Sequence, residues 1–374
     1  MKICFVINRL ITGGAQHTLK SVADGIANNK NNKINIVAFE KKIKKNVEFK
    51  KGIRVNYLNK ENHYNNIINF FKFFVFMLNN HKEFNYVIST GDAQTIIITR
   101  IVCFLFKKKQ IPWIQFHYKT SEPRNFFKKF IWRKLFGDGN FFDYSVVACS
   151  KYIKKAYEKD LLWKRVSVIY QCIDPKFINK SINYSFKNKI KKIYKNKKVI
   201  LAPGRIDKDK NHLSIIKAIN NLSKIRKDFI LLIHGEKGNN YRNVLNYISE
   251  NKLEKFVVII NLIKLNEFIN WMKFSNLVVL NSIQEPIGTI AYENMFVKSN
   301  FMISYQTGWK EMIPNKNYEN VIINPYNERE IFLKIKKLLK KKLNKRTSLK
   351  YYKFISNFTN INISNEWLKF INRQ

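Results

Sequence analysis

Thirteen short runs of β-branched and aromatic residues recur along this chain, and longer amphipathic stretches separate them. Runs that are apolar throughout, rather than alternately, belong to strands buried on both faces, and strands alternating with helices build parallel sheets. The runs fall in two sets, at 2–7, 34–39, 53–58, 86–90, 113–117, 144–149 and 166–170, then at 198–203, 229–234, 256–262, 277–281, 301–305 and 320–323. A chain of 374 residues exceeds one comfortable core and suits two domains. The pattern therefore predicts an α/β protein of two doubly wound domains, residues 1–180 and 181–355, with a tail over 356–374. The Lys-rich stretch 175–196, opened by Pro175 and lacking a strand pattern, is the expected linker. Asn365 to Phe370 reads as a short amphipathic helix that could pack back on the N-terminal domain. Ligands of open α/β sheets bind beyond the carboxyl ends of the strands. Two such sheets with facing strand ends would enclose an interdomain cleft.

With 45% apolar and 14% aromatic residues, wholesale disorder is excluded. The 69 Lys and Arg against 26 Asp and Glu leave a formal charge of +43, which points to an anionic partner, whether nucleic acid, an acidic membrane or phosphorylated substrates, with a plain solvated surface as the alternative for part of the excess. Cys4, Cys103, Cys149 and Cys172 are scattered without metal-ligand spacing, as expected of reduced thiols in a cytosolic protein. The chain opens directly into a strand-like run without a cleavage signal. Its most apolar stretch, Ile96 to Phe106, contains Arg100 and is too short to span a bilayer. A protein that lies on a membrane without crossing it is expected.

Chemistry is sought just beyond the strand runs. After the first comes Gly13-Gly14 at the entry to a helical pattern. Two glycines there let backbone N–H groups and a helix dipole meet an anion, and would equally serve a tight turn needing positive φ. After the first run of the second set, Gly204-Arg205 is followed at Lys210 by a second cation ahead of a helix. Two fixed cations would neutralise a diphosphate leaving group, whose charge grows in the transition state. Beyond a later strand stand Glu285 and, eight positions on, Glu293, about two turns into a helix starting near Gly288. Such carboxylates hydrogen-bond sugar and ribose hydroxyls. Asp207-Lys208-Asp209 has the outline of a metal-binding DxD. With Lys208 between its carboxylates it reads instead as solvated or helix-capping, and no metal is expected.

Taken in order, Gly13-Gly14, Gly204-Arg205-x4-Lys210 and Glu285-x7-Glu293 resemble the retaining GT-B glycosyltransferases of family 4 over nearly the whole chain. His234-Gly235-Glu236-Lys237-Gly238 is similar to that family's glycine-bearing turn, and Leu262 to Ser282 to its base-binding loop, helix and strand. The resemblance implies two Rossmann-like domains facing a cleft, the first binding the acceptor and the second a nucleotide sugar. It implies that Arg205 and Lys210 hold the donor diphosphate, that Glu293 binds the ribose, and that Glu285 faces the transferred sugar. Backbone N–H groups around Gly288 and Thr289 would help to hold sugar and phosphate, and His117 would sit near the donor sugar. Gly13, Gly14, Gly235 and Leu262 complete the implied donor site. No cofactor beyond the donor, expected as a UDP-sugar, is implied. Pro286, where Gly is common, Phe296, where a small residue is common, and Ser299-Asn300-Phe301, in place of Gly-x-Pro, depart from the family pattern and bear on donor-sugar identity.

Arg124 to Phe136 combines five cations with seven large apolar residues at roughly helical spacing. Such a helix can lie in a membrane interface, and would also suit a helix buried on a sheet with its cations snorkelling outward. Ile67 to Leu78 is a second, more apolar segment that core burial explains equally well. The leading expectation is transfer of a sugar, with retention, from a nucleoside diphosphate to a hydroxyl of a membrane-associated bacterial glycan such as lipopolysaccharide, capsule or lipid-linked oligosaccharide. The enzyme would work as a peripheral protein on the inner face of the cytoplasmic membrane. A nucleic-acid-binding module would share the charge but no such motif is evident, so no nucleic-acid partner is expected. A nucleotide-sugar epimerase of the same fold would act without an acceptor.

Overall fold

The computed structural model describes residues 1–10, 13–41, 47–60, 65–123, 125–137, 145–195, 197–261, 263–313 and 319–374. They form two compact units, Met1–Ile173 together with Phe358–Gln374, and Asp174–Asn357.

In the first unit β1 (Lys2–Arg9), β2 (Lys33–Glu40), β3 (Arg54–Asn59), β4 (Tyr86–Ser89), β5 (Lys109–Ile114), β6 (Val146–Ala148) and β7 (Val166–Val168) form one parallel sheet. Its order is β3-β2-β1-β4-β5-β6-β7. The helices are α1 (Gly14–Ile26), α2 (Asn66–Asn80), α3 (Ala93–Leu105), α4 (Phe126–Trp132), which runs into a π-helical turn at Arg133–Gly137, and α5 (Lys151–Asp160). Asn65, Asp92 and Ser150 cap α2, α3 and α5 by accepting from first-turn N–H groups.

In the second unit α6 (Pro175–Ser181) and α7 (Phe186–Ile193) precede β8 (Lys198–Pro203), α8 (His212–Ile225), β9 (Phe229–His234), α9 (Tyr241–Glu250) and β10 (Val257–Ile260). The chain continues through α10 (Leu265–Phe274), β11 (Leu277–Leu280), α11 (Thr289–Phe296), β12 (Phe301–Ser304), β13 (Val321–Ile322), α12 (Glu328–Lys340) and α13 (Lys345–Ile355). This sheet is also parallel, in the order β10-β9-β8-β11-β12-β13. The chain then returns to the first unit as α14 (Asn360–Asn372), whose Trp367 ring meets Trp113 of β5 edge-on at 4.9 Å.

Every expected strand is present, and the reason is visible in β1. Ile3, Phe5 and Ile7 pack with α1 and α14, while Cys4 and Val6 pack with Phe73 and Met77 of α2 and Val102 of α3. Both faces are buried, so the run carries no alternation. All four cysteines are buried and free. No helix among the described residues is long and apolar enough to cross a membrane.

Two expectations need correction, and one left open is resolved. The strand expected at 113–117 is β5, which starts earlier, at Lys109, and ends at Ile114, leaving Gln115 and His117 beyond it. Pro112 stands inside this strand opposite Ser89 of β4, one residue before the pairing with β6 at Trp113 and Ile114. The expected linker folds as α6 and α7: Asp174 caps α6 with Pro175 at its first position, where a missing N–H costs nothing. For the segment 67–78, left open between an interface helix and core burial, the structure shows one buried and one exposed side. One side of α2 buries Asn69, Phe73 and Met77, while Ile67, Phe71, Val75 and Leu78 face solvent.

Candidate functional site

In the second unit Gly204 follows β8, with a φ of +127°, a conformation open to glycine. Gly235, just beyond β9, lies against it, where a Cβ would stand 2.1 Å from the Gly204 carbonyl oxygen. Only a bare backbone fits there, and the contact fixes where Arg205 leaves the strand. Asp207 anchors the same loop: one carboxylate oxygen accepts from the Asn239 N–H at 2.8 Å and the other from Arg205 Nε. The Asp207-Lys208-Asp209 segment is thus partly structural, and no group of three metal-ligating side chains converges among the described residues.

After a 3-10 turn at Lys208–Lys210, Asn211 adopts a left-handed conformation and opens α8. The Lys210 ammonium donates to a carboxylate oxygen of Glu285, to which Ser282 Oγ also donates at 3.4 Å. Burial alone would lower the Lys210 pKa, yet Glu285 outweighs it and holds the ammonium above its ordinary value. Burial raises Asp209, against the pull of Lys210 and with the push of Glu285. The Ile283 N–H donates to the Asp209 carbonyl at 2.8 Å, joining the β8 and β11 loops.

The Glu285 carbonyl accepts from the Gly308 N–H at 2.9 Å, and Trp309 Nε1 donates to the Gly288 carbonyl at 3.3 Å. A Cβ on Gly288 would lie 3.0 Å from the Trp309 ring and 3.4 Å from the Glu285 carboxyl carbon. Gly288 caps α11 without a side chain, leaving the first-turn N–H groups at Thr289 with the positive end of the helix dipole. Glu293 is the fifth residue of α11, little more than one turn in rather than two, because the helix begins at Thr289. Desolvation pushes its carboxyl up to about 7. At the end of β9, His234 stacks on Phe268 at 4.6 Å and its Nε2 accepts from the Ile263 N–H at 3.2 Å. Burial holds this ring neutral, with a pKa of about 4. Leu262 lies outside the described residues.

In the first unit Gly13 precedes α1 with φ −169°, extended backbone that any residue adopts, so a turn demanding positive φ does not explain it. Gly14 is the first, exposed residue of α1. Positive φ falls instead on Gly91, at +107°, where a Cβ would press on Asn8. His117 follows β5, stacks on Tyr118 at 4.9 Å, and its Nδ1 accepts from the Lys119 N–H at 3.3 Å. Burial and the Lys119 charge lower its pKa. Gln115 beside it bridges Thr90 and Gln171.

Arg205, Lys210, Gly235, Glu285, Gly288, Thr289 and Glu293 all belong to the second unit, at or just past the carboxyl ends of β8, β9 and β11. Gly13, Gly14 and His117 occupy the corresponding ends of β1 and β5 in the first. Sequence reasoning missed Trp309 and the anchoring work of Asp207. Gly308-Trp309 a few residues beyond a strand run was the available signal for the tryptophan.

Residues 184–354 match the family model described as glycosyl transferases group 1. No curated protein matches the sequence. Among solved structures, Anabaena HepE in complex with UDP and glucose superimposes with a TM-score of 0.79 at 15% identity, over 100% of both chains. Sucrose-phosphate synthase from Thermosynechococcus elongatus gives 0.80 at 13% identity, over 100% of this chain and 98% of that one. A glycosyltransferase from Rickettsia africae gives 0.72 at 19% identity, over 99% and 97%.

Proposed function

We propose, on the premise that this chain of GT-B fold is a glycosyltransferase carrying a group 1 domain over residues 184–354, that it moves a sugar from a UDP-sugar to a membrane-borne glycan hydroxyl with retention, releasing UDP. UDP is the donor nucleotide suggested by HepE, whose structure holds UDP and glucose. The acceptor class is a bacterial lipopolysaccharide, capsule or lipid-linked oligosaccharide, reached from the inner face of the cytoplasmic membrane. The convergence of Lys210 with Glu285 beside the Arg205 loop carries the proposal.

A donor diphosphate takes the place of the Glu285 carboxylate at Lys210, and Arg205, still held by Asp207 through Nε, turns its remaining N–H donors to the other phosphate group. Both cations then oppose charge that grows as the sugar–phosphate bond breaks, so they bind the transition state more tightly than the ground state. Glu285, released from Lys210, accepts hydrogen bonds from sugar hydroxyls, and Glu293 accepts from the ribose. N–H groups at Gly288 and Thr289 supplement the cations. The departing phosphate oxygen takes the proton of the acceptor hydroxyl on the same face of the sugar, which retains the anomeric configuration. His117 positions the reacting sugar.

The test is a panel of nucleotide sugars, read by thermal stabilisation and by donor hydrolysis with and without membrane extract. One UDP-sugar should stand out, and Arg205→Ala should abolish its turnover while the fold persists. Unchanged turnover in that variant would remove the phosphate role. Epimerised donor in the absence of acceptor would replace transfer by epimerisation.

A further inference from the structure

We infer that the side of the first unit built from α2, α3 and α4 docks on an anionic bilayer, and that α2 and α3 carry this contact together with the basic aromatic helix α4. Sheet order puts these helices on one side. The connections β3 to β4, β4 to β5 and β5 to β6 all step the same way across the sheet, and right-handed crossovers place their helices on a common face. The connection from β1 to β2 steps the other way, and its helix α1 packs with α14 in the opposite core.

Among the described residues twenty-two large apolar side chains are exposed, and eleven of them sit on α2, α3 and α4. They are not the leftovers of core packing. On α2, Ile67 (70% exposed), Phe71, Val75 and Leu78 fall on one helical stripe, opposite the buried Phe73 and Met77. Leu105 ends α3 in solvent. On α4, Phe126 (86% exposed), Phe127, Phe130 and Ile131 face outward while Trp132 and Phe136 fill the core. So many exposed apolar side chains on helices of one side of the sheet mark an interaction surface.

Charge selects the occupant. Lys72, Lys107, Lys128, Arg133 and Lys134 stand exposed among these side chains, and Glu122 pairs with Lys129 and Arg133. A second copy of a chain with net charge +43 would be repelled, whereas lipid phosphates attract the cations as the rings enter the headgroup boundary. The docking face rests on the membrane-borne acceptor proposed above for its purpose; vesicle binding itself needs no donor, so the two readings fail separately.

The full chain is sedimented with vesicles of neutral phosphatidylcholine or of phosphatidylcholine with phosphatidylglycerol, at low and high salt. UDP-induced thermal stabilisation is measured in parallel to confirm folding. Binding should require the anionic lipid and weaken with salt. Phe71→Ser with Val75→Ser on α2 should weaken it about tenfold, as should Phe126→Ser with Phe127→Ser on α4, because each pair withdraws two large apolar side chains from the interface. Ile225→Ser with Leu245→Ser, exposed in the second unit, should change nothing. Loss confined to the α4 pair would overturn the assignment of α2, and equal binding to neutral vesicles would overturn the role of the cations. Dimers in light scattering that the α2 pair dissolves, without vesicle binding, would assign the face to a second copy instead.

Discussion

Gly235→Ala offers the sharpest test of how the site is held. Its Cβ would lie 2.1 Å from the Gly204 carbonyl oxygen and 2.5 Å from the carbonyl carbon. Backbone atoms, not a flexible side chain, are in the way. To relieve the clash the strand ends of β8 and β9 must part by roughly 1 Å, which for overpacking costs about 1–3 kcal/mol. In a unit of this size that lowers Tm by roughly 2–12 °C. The same shift carries Arg205, the next residue after Gly204, and a displacement of about 1 Å can cost roughly a hundredfold in turnover. Gly13→Ala is the control. Its Cβ would meet only the end of the Gln16 side chain, at 2.7 Å, and its φ of −169° suits any residue, so a change within about 0.5 kcal/mol is expected. Thermal unfolding by circular dichroism and UDP titration by calorimetry read both effects. A Gly235→Ala protein with wild-type Tm and UDP affinity would show that the close approach does not fix Arg205.

Lys210→Met and Glu285→Gln should each destabilise the protein by about 3 kcal/mol, since either leaves a mostly buried charge without its partner. The double variant should recover about 1–3 kcal/mol of the sum in denaturant unfolding; strict additivity would mean that the pair is not formed. Desolvation raises the Glu293 carboxyl from its ordinary 4.5 to about 7, so the folded state holds this proton more tightly than the unfolded chain. Its contribution is therefore complete below pH 4.5 and is lost as pH rises towards and through 7. Glu293→Gln should match the wild type in stability near pH 4 and exceed it near pH 8, and parallel pH profiles would contradict the burial. Asp207→Ala strands the Asn239 N–H and frees Arg205. A loss of about 1–3 kcal/mol is expected, together with weaker UDP binding by calorimetry.

Sequence alone determined the two parallel sheets, because strands buried on both faces must be apolar throughout, and a run such as Phe229 to His234 has no other home. It also exposed Arg205, Lys210, Glu285 and Glu293, whose spacing beyond strand ends survives in any linear reading. Local chemistry misled it at Pro175, which argues against regular structure until the fold shows that its N–H is not needed at the first position of α6. Tertiary structure alone decided the partners: that Lys210 donates to Glu285, seventy-five residues away, that Asp207 spends its carboxylate on the Asn239 backbone, and that Trp309 braces Gly288. It alone also decided which side of α2 is core and which meets solvent. Helical periodicity fixes which residues share a face, but a helix rich in Phe on every side reveals its outward face only once a sheet has covered the other.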